Sequence, residues 1–359
     1  MEPMKDDNMS KKSDKLLKSF KNNSIAPGKI SPGLLKRFLD LPRKTSPALV
    51  VGPSYGEDAA VVRLGDRQVV VTSDPITFKT SRPGYYAVHI NANDMAVMGA
   101  VPQYFTLTLI MPPGTTEQEA AAIMIEAIEA GDALEVVLIG GHSEVSEAVN
   151  TVVIAVSMWG ELATAQPLKT SDGQPGDAII QVGPMGIEGT SILAAEHEQA
   201  LEKEFGQAFT ERAAGFLLDP GLSVVAPARL AAANLDIHAM HDPTEGGLAT
   251  GLREIAVASQ TGLTVRQEKL LVSPETVKVC RFLKHDPLGL ISSGCLLFTI
   301  AEKEAEKAVQ LMTASGFPAA QIGNLTRTRG KYYLENETGR RSKLPAFAVD
   351  ELAAAVGRE

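Results

Sequence analysis

The sequence contains little cysteine and no excess of positive charge. Its 359 residues include only Cys280 and Cys295, which are too few for a disulfide framework and have no CxxC spacing. We therefore expect a reducing, cytoplasmic environment. The formal net charge is −9 at neutral pH, and no clustered basic surface is evident, so we expect no nonspecific nucleic-acid partner.

Long hydrophobic runs and the common nucleotide-binding motifs are also missing. The apolar segments are of strand length or are interrupted by glycine, proline and charge, so no transmembrane span and no membrane partner are expected. Neither a P-loop nor a strand-linked GxGxxG motif occurs. An acidic chain can still bind ATP through local loops and divalent cations, which supply the missing positive charge.

The composition is that of a folded globular protein, with 44% hydrophobic and 21% charged residues. The length favours two domains. We predict a mobile N-terminal tail (1–27), an N-terminal domain (28–165), a C-terminal α/β domain (166–345) and a C-terminal tail (346–359). The proline- and glycine-rich stretch 166–176 would be the joint between the domains.

Hydrophobic patterning predicts an α+β fold, with a largely antiparallel sheet in the first domain. Short strands separated by turn residues occupy residues 48–72. A helix from Tyr85 to Met98 carries Asn91, Asn93 and Asp94, and an amphipathic helix follows at 116–131. Further strands are predicted at 104–111, 135–139 and 151–159. Helices and strands then alternate in the second half.

Five acidic residues stand beside glycine, asparagine or other turn-forming residues: Asp58, Asp74, Asp94, Glu144 and Asp242. Taken singly, each is most simply a turn or capping residue. If they converge, however, their mutual repulsion requires a cation. Mg²⁺ typically joins one or two carboxylates to substrate phosphates, so the set favours a nucleotide triphosphate site.

The segment from His241 to Leu248 is typical of an anion-binding helix start. Asp242-Pro243 disfavours helix, and Thr244 can cap. Gly246 and Gly247 allow backbone N–H groups to approach a phosphate. The Gly140-Gly141 pair, interpreted as a turn, is a second candidate cradle. Both His142 and His241 adjoin an acid and could be structural hydrogen bonders or a general acid or base.

These motifs together resemble the PurM-like superfamily of aminoimidazole ribonucleotide synthetase, hydrogenase maturation protein HypE, selenophosphate synthetase and thiamine monophosphate kinase. The similarity to HypE is the most marked and runs from Gly28 to about Leu325. The motifs that carry it are Gly28-Lys29-Ile30, Gly56-Glu57-Asp58-Ala59-Ala60, Asn93-Asp94-Met95-Ala96-Val97-Met98-Gly99-Ala100, Gly140-Gly141-His142-Ser143-Glu144 and Asp242-Pro243-Thr244-Glu245-Gly246-Gly247-Leu248.

The resemblance implies a homodimer, in which the N-terminal sheets of two subunits form a shared barrel, and a cleft that binds ATP and Mg²⁺. The metal ligands would be Asp58, Asp74, Asp94 and Asp242. The nucleotide would be bound by those residues together with Asn93, Gly140, Gly141, Thr244, Gly246 and Gly247. The catalytic residues would be Asp94, Glu144 and His142. The implied chemistry is ATP-driven phosphorylation of a carbonyl-type or similar acceptor, which is either a small molecule or is presented by a maturation protein.

One departure from HypE concerns cysteine. HypE ends in a mobile tail with a terminal cysteine that carries a carbamoyl group, whereas this sequence ends Ala355-Val356-Gly357-Arg358-Glu359. We therefore expect a HypE-like enzyme that acts on a separate substrate or uses a thiol from another protein. Two alternatives stay open: a nucleotide-binding maturation partner with reduced catalysis, and a small-molecule kinase like thiamine monophosphate kinase.

Overall fold

The computed structural model describes residues 17–22, 24–25, 30–78, 80–347 and 349–356. The chain divides into two compact units, Met1–Ile30 and Ser31–Glu359. All the helices and strands given below belong to the second unit. The motif residues Gly28 and Lys29 and most of the predicted N-terminal tail lie outside the described residues.

A six-stranded sheet occupies the first half of the second unit, with the strand order β1-β2-β3-β6-β4-β5. Only β4 and β5 are parallel, and all other neighbours are antiparallel. Buried and less buried residues alternate along β4 and β6, as expected when one face packs on a core. The elements of this half are α1 (Pro32–Leu39), β1 (Leu49–Val51), β2 (Ala60–Leu64), β3 (Arg67–Ile76), α2 (Pro83–Val97), β4 (Ala100–Met111), α3 (Glu117–Leu134), β5 (Val137–Val145) and β6 (Val153–Leu162).

A seven-stranded sheet occupies the second half, with the order β13-β12-β9-β11-β7-β10-β8. Its strands β7 and β10 are buried along their whole length, because they lie inside the sheet with helices packed on them. The elements are β7 (Ala178–Val182), α4 (Ile187–Glu196), α5 (Glu198–Phe205), α6 (Gln207–Ala214), α7 (Val225–Asn234), β8 (Ile237–His241), α8 (Gly247–Ala258), β9 (Gly262–Arg266), α9 (Pro274–Leu283), β10 (Leu296–Ile300), α10 (Ala305–Ala314), β11 (Ala319–Thr326), β12 (Tyr332–Glu335), β13 (Arg341–Lys343) and α11 (Glu351–Val356).

Helix α2 is the element that joins the two halves. It packs against β3, β6 and α3 of the first half and against α7 and β8 of the second. Thirteen of its residues are buried, so it has no solvent-facing stripe, as expected for a helix surrounded by other elements. Its polar residues Asn91, Asn93 and Asp94 are therefore brought into the interior.

The predicted α+β class with two sheets is confirmed, whereas a barrel shared between subunits stays a prediction. The predicted helix at 116–131 is α3, which begins with a capping box between Thr116 and Glu119. Two expectations about local structure are wrong. Gly140-Gly141 and Glu144 lie inside β5 rather than in a turn, and Asp74 lies within β3. No helix in the described parts of the chain is both long and apolar enough to cross a bilayer.

Gly84 allows α2 and α3 to pack closely. A Cβ atom at this position would lie 2.2 Å from the carbonyl oxygen of Ile123 and 2.8 Å from the amide nitrogen of Ala127, and both are backbone atoms of α3. We expect Gly84→Ala to destabilise the protein by about 1–3 kcal/mol, because the helices have to separate. Chemical denaturation would measure this. The control is Gly33→Ala in α1, where a Cβ meets nothing within 4 Å and no loss is expected.

Candidate functional site

Four of the five predicted acids converge where α2 meets the second sheet. Asp58 precedes β2, Asp74 lies in β3, Asp94 in α2, and Asp242 directly follows β8. Repulsion from Asp74, Asp242 and Asp58 contributes to the pKa of Asp94, which places the four carboxylates within electrostatic range. Asp94 and Asp242 are buried, Asp58 is half-buried and Asp74 is exposed, so the cluster runs from the interior to the surface.

Asp94 is held by a hydroxyl group from the neighbouring strand. The Thr72 hydroxyl oxygen lies 2.8 Å from Oδ2 of Asp94 and 3.2 Å from the carbonyl oxygen of Asp58. Burial, and then repulsion from Asp74, Asp242 and Asp58, raise the pKa of Asp94 well above its usual value, although the bond to Thr72 opposes this shift. A nearby cation would reverse the balance and favour the carboxylate form.

The backbone of Asp74 is fixed by Asn91, one helical turn before Asp94. The amide nitrogen of Asp74 donates to Oδ1 of Asn91 at 2.9 Å, and Nδ2 of Asn91 donates to the carbonyl oxygen of Asp74 at 3.1 Å. This two-bond bridge joins β3 to α2. It sets the position from which the Asp74 carboxylate reaches the cluster.

His241 lies next to Asp58 and offsets part of the negative charge of the cluster. Its Nδ1 lies 2.9 Å from Oδ2 of Asp58, and its Nε2 lies 3.0 Å from Oε2 of Glu254. Burial alone would lower the pKa of His241, but attraction to and hydrogen bonding with Asp58 and Glu254 raise it well above its usual value. An imidazolium that donates to two carboxylates is therefore favoured, and His241 positions Asp58.

Asp242 is the group that most clearly lacks a partner. Both of its carboxylate oxygens are buried and have no hydrogen-bond partner among the described residues. Burial, and then repulsion from Asp58, raise its pKa well above the usual value, while His241 opposes the shift. Buried polar atoms normally have a partner, so two orphaned oxygens indicate a missing ligand, ion or water.

The geometry of this cluster fits a divalent cation. One ligand atom each from Asp58, His241 and Asp242 lies within 4.8 Å of the others. Because both ring nitrogens of His241 already face carboxylates, the available donors are oxygens, which Mg²⁺ prefers. Asp58, Asp94 and Asp242 would hold the ion and Asp74 would reach it from the surface. Their assignment as metal ligands stays a prediction.

Asn93 and Glu57 link the cluster to the second half. Asn93 donates from Nδ2 to the carbonyl oxygen of Leu222 and accepts the amide N–H of Val224, both at 2.8 Å. The Glu57 carboxylate accepts the backbone N–H groups of Thr170 and Ser171. Since these contacts engage the Asn93 amide, Asn93 has a visible structural role, and its predicted contact with the nucleotide stays a prediction.

A helix begins where the anion-binding helix start was predicted, although the structure differs from the expectation in detail, and anion binding there stays a prediction. α8 begins at Gly247, and Gly246 precedes it with φ of 78°. The expectation that Thr244 caps the helix is wrong, because no side chain caps it; the Thr244 carbonyl oxygen accepts the Gly247 N–H instead. The Gly246 N–H donates to Oδ2 of Asp350 at 2.6 Å. A carboxylate thus contacts this helix start, as its positive end favours.

His142 and Glu144 do not reach the acidic cluster of the same chain. They lie on the edge strand β5, opposite Thr108 and Ile110 of β4, with His142 Nε2 3.3 Å from Glu144 Oε2. The pairing registers place them on the face opposite Asp74, three strands and roughly 14 Å away. Their catalytic roles stay predictions.

Gly141 is required by the sheet itself. A Cβ at Gly141 would lie 1.9 Å from the carbonyl oxygen of Leu107 in β4, so only glycine fits. This close approach explains the residue type without a ligand. The nucleotide contacts predicted for Gly140 and Gly141 stay predictions, now on an exposed edge strand.

Neither cysteine presents a reactive thiol. Cys280 lies in α9 and Cys295 just before β10, and both are buried. Burial raises the pKa of each thiol to about 12. Because the thiolate is the nucleophile, both residues have a structural role in the core.

Sequence reasoning missed several residues that shape the site. Thr72 of β3 contacts Asp94, and Glu254 of α8 contacts His241. Alternation along β3 places Thr72 on the same face as Asp74, which is a signal that could have identified it. No comparable signal identified Glu254, since its partner is thirteen residues away across a turn.

Two family models match successive parts of the chain. Residues 56–162 match the N-terminal domain of AIR synthase related proteins, and residues 174–334 match the C-terminal domain. Together they include every member of the acidic cluster. The resemblance predicted from the motifs is confirmed.

Relatives that are named as hydrogenase formation or maturation proteins match most of the chain. A putative hydrogenase expression/formation protein of Methanocaldococcus jannaschii is 31% identical over 304 residues, which cover 81% of this chain and 86% of the relative. The carbamoyl dehydratase HypE of Rhizobium leguminosarum is 29% identical over 285 residues, with coverages of 75% and 77%. A crystal structure of HypE in complex with ATP superposes with a TM-score of 0.69 at 26% identity, with coverages of 84% and 92%.

The raised pKa values predict how stability depends on pH. In the folded chain Asp94 and Asp242 bind protons more tightly than in the unfolded chain, so their contribution is complete below the ordinary value of 3.8 and is lost as the pH rises through the raised values. The pKa of His241 is also raised in the folded chain, so its contribution to stability is likewise lost as the pH rises above the ordinary value of 6.5. In metal-free buffer we therefore expect the midpoint temperature of unfolding to decrease as the pH is raised from about 6 to about 8.

Calorimetry of the wild type and Asp242→Asn measures this effect. The variant should be more stable than the wild type at about pH 8, by about 1–3 kcal/mol, because a buried charge is removed. Added Mg²⁺ should stabilise only the wild type, and more at the higher pH. Parallel pH profiles for the two proteins, with no effect of Mg²⁺, would contradict the assignment.

Proposed function

Because the chain belongs to the AIR synthase related protein family, we propose that it is an ATP- and Mg²⁺-dependent enzyme that phosphorylates a carbonyl-type acceptor. The observation that carries the proposal is the orphaned Asp242 carboxylate among three further converging acids. Without a cation this arrangement is costly, and with a metal-bound triphosphate its charges are compensated. ATP bound to a HypE of the same fold supports the choice of nucleotide.

The acceptor that we propose is a carbamoyl group, in keeping with the carbamoyl dehydratases among the relatives. The carbonyl oxygen attacks the γ-phosphorus of ATP, and the bond from that phosphorus to the β,γ-bridging oxygen breaks, which releases ADP. The phosphorylated oxygen then leaves as phosphate while the nitrogen loses two protons, and a nitrile forms. The oxygen of the eliminated water ends in phosphate.

The residues of this chain would act mainly by charge and position. Mg²⁺, when bound, neutralises the phosphate charge that develops during transfer. Asp58, Asp94 and Asp242 would hold the ion, and His241 would keep Asp58 oriented through its 2.9 Å contact. The Thr72 hydroxyl fixes the Asp94 carboxylate. Such preorganised groups supply most of the rate in phosphoryl transfer.

We also propose that the active form is a homodimer. The open face of the first sheet, the side away from α2, carries Tyr104, Val137, His142, Glu144 and Trp159. Tyr104 and Val137 are 48% and 55% exposed, and an apolar sheet face of this kind favours a partner. We further propose that the edge strand β5 of each subunit, with His142 and Glu144, lies next to the acidic cluster of the other subunit.

Asp94→Asn tests the enzymatic proposal. The substitution keeps the side-chain size but removes a carboxylate that we propose as a ligand of the metal ion, so we expect ATP turnover to fall by about 100-fold or more. ADP release is measured by a coupled assay. The matched control is Asp177→Asn, which alters another buried acid, paired with His238 at 2.9 Å at the opposite end of the second sheet; it should lower stability but keep turnover.

Binding measurements separate the enzyme from the alternatives. Equal turnover in the wild type and Asp94→Asn would refute the proposal. Calorimetry that shows ATP binding to the wild type, with no ADP formed after long incubation, would instead identify a nucleotide-binding maturation partner. A stable phosphorylated small molecule among the products would identify a kinase.

Complementation tests the role of His142 across the dimer. If each site combines Asp94 of one subunit with His142 of the other, Asp94→Asn and His142→Ala homodimers are both inactive. Random pairing of the two co-expressed variants gives half heterodimers, each with one intact site, so activity should recover to about a quarter of wild type. A mixture no more active than its components would contradict this arrangement.

A charge on the open face provides the control for complementation. Val137→Glu should produce monomers and abolish the recovery, as measured by light scattering and ADP release. Ile125→Glu introduces the same charge at a position on α3 that is 54% exposed and away from the open face. This second variant should remain dimeric.

A further inference from the structure

A loop of the first half is anchored on the second half directly beside the acidic cluster. A Cβ at Gly56 would lie 3.6 Å from the carbonyl oxygen of Glu254, so this loop lies against α8. Gly56 has a φ of 81°, a conformation that favours glycine. The carboxylate of the next residue, Glu57, accepts the backbone N–H groups of residues 170–171. These contacts fix the backbone that carries Asp58.

The side chain of Asp58 is oriented by a separate contact with His241. A fixed backbone does not by itself define a carboxylate, because the terminal torsion of Asp has a broad range. Nδ1 of His241 lies 2.9 Å from Oδ2 of Asp58, and this contact joins the loop before β2 to the last residue of β8. The contact engages Oδ2 and so restricts the rotation of the carboxylate.

Glu254 contacts the opposite nitrogen of the same imidazole ring. Its Oε2 lies 3.0 Å from Nε2 of His241. The side chains of His241, Glu254 and Asp58 are only 4%, 13% and 15% exposed, so water competes little for these contacts. A ring with a partner at one nitrogen can still swing about that contact, whereas a second partner at the other nitrogen fixes its orientation.

Helix α8 is a rigid support for the Glu254 carboxylate. Its residues Leu248, Leu252 and Ile255 are buried in the core of the second half. Glu254 follows from another side of the helix, where the loop at Gly56 lies against it. A group carried by a packed helix is held more precisely than one carried by a loop.

We propose that Glu254 is a positioning residue of the metal site, which acts through His241 to hold the Asp58 carboxylate in the orientation that binds a divalent cation. The proposal rests on the proposed function for the identity of the ion, and extends it by a residue that is not itself a ligand. Groups that orient metal ligands in this way commonly change metal affinity by about 10- to 100-fold.

The test titrates the full chain with Mn²⁺ in the absence of nucleotide, and electron paramagnetic resonance of the free ion gives the Kd. Mn²⁺ suits the same carboxylate ligands as Mg²⁺. Glu254→Leu removes the contact to Nε2 of His241, so we expect the Kd to rise about tenfold. Glu254→Gln removes the same charge but keeps a hydrogen-bonding group there, whether or not Nε2 carries a proton, and its Kd should stay within about threefold of the wild type.

Two controls distinguish positioning from folding. Asp177→Asn weakens another contact between a carboxylate and a histidine, 2.9 Å from Nδ1 of His238. It should lower the midpoint temperature of unfolding and leave the Kd for Mn²⁺ unchanged. A double variant gives a readout that a structural role would not move: in His241→Gln, which lacks the ring, adding Glu254→Leu should cause no further loss of affinity.

The outcomes also separate this inference from the proposed function. Equal weakening by Glu254→Leu and Glu254→Gln would assign the effect to charge alone and overturn the positioning role. An unchanged Kd in Glu254→Leu, or a loss that adds to that of His241→Gln, would do the same. A wild type that binds no Mn²⁺ would overturn the metal assignment and this role together. Weaker binding in Glu254→Leu that is restored in Glu254→Gln, in a protein that never hydrolyses ATP, would support the role and refute only the proposed reaction.

Discussion

Electrostatic repulsion among four carboxylates is the constraint on which the rest of the site depends. Asp74 and Asp94 lie in β3 and α2, Asp58 precedes β2 and Asp242 follows β8, and the packing of α2 between the two sheets brings the four together. His241 offsets part of the charge through Asp58 and Glu254. The remaining negative charge favours a cation and, through it, a phosphate, so electrostatics links the fold directly to the proposed chemistry.

Much of the fold was predictable because its elements are encoded locally. Hydrophobic periodicity identified α3 as an amphipathic helix, and the helix predicted from Tyr85 to Met98, with Asn91, Asn93 and Asp94 on it, is α2. The convergence of the acids was predictable only as a set, from motifs in a characteristic order. Their roles as metal and nucleotide ligands, like the predicted domain boundaries, remain predictions.

The failures arise where local chemistry is ambiguous or contacts are long-range. Gly140-Gly141 has the composition of a turn, but Gly141 is glycine because the β4 backbone approaches it, which no local pattern reveals. Thr244 has the right residue type for a cap, yet Gly246 precedes α8 and its N–H is satisfied by Asp350, about a hundred residues later. The buried Glu188 and Ser293 lie 105 residues apart in the sequence and become neighbours only through α4 and the segment before β10.

Asp350 occupies the Gly246 N–H at the start of α8 and would therefore compete with any phosphate for this backbone group. Because Asp350 belongs to the same folded chain, its carboxylate is held beside the Gly246 N–H, whereas a phosphate has to arrive from solution. Any phosphate that binds the Gly246 N–H has to displace Asp350, whose carboxylate also accepts the N–H of Leu352. Burial raises the pKa of Asp350 to about 6, so the strength of this competition varies within the physiological range of acidity.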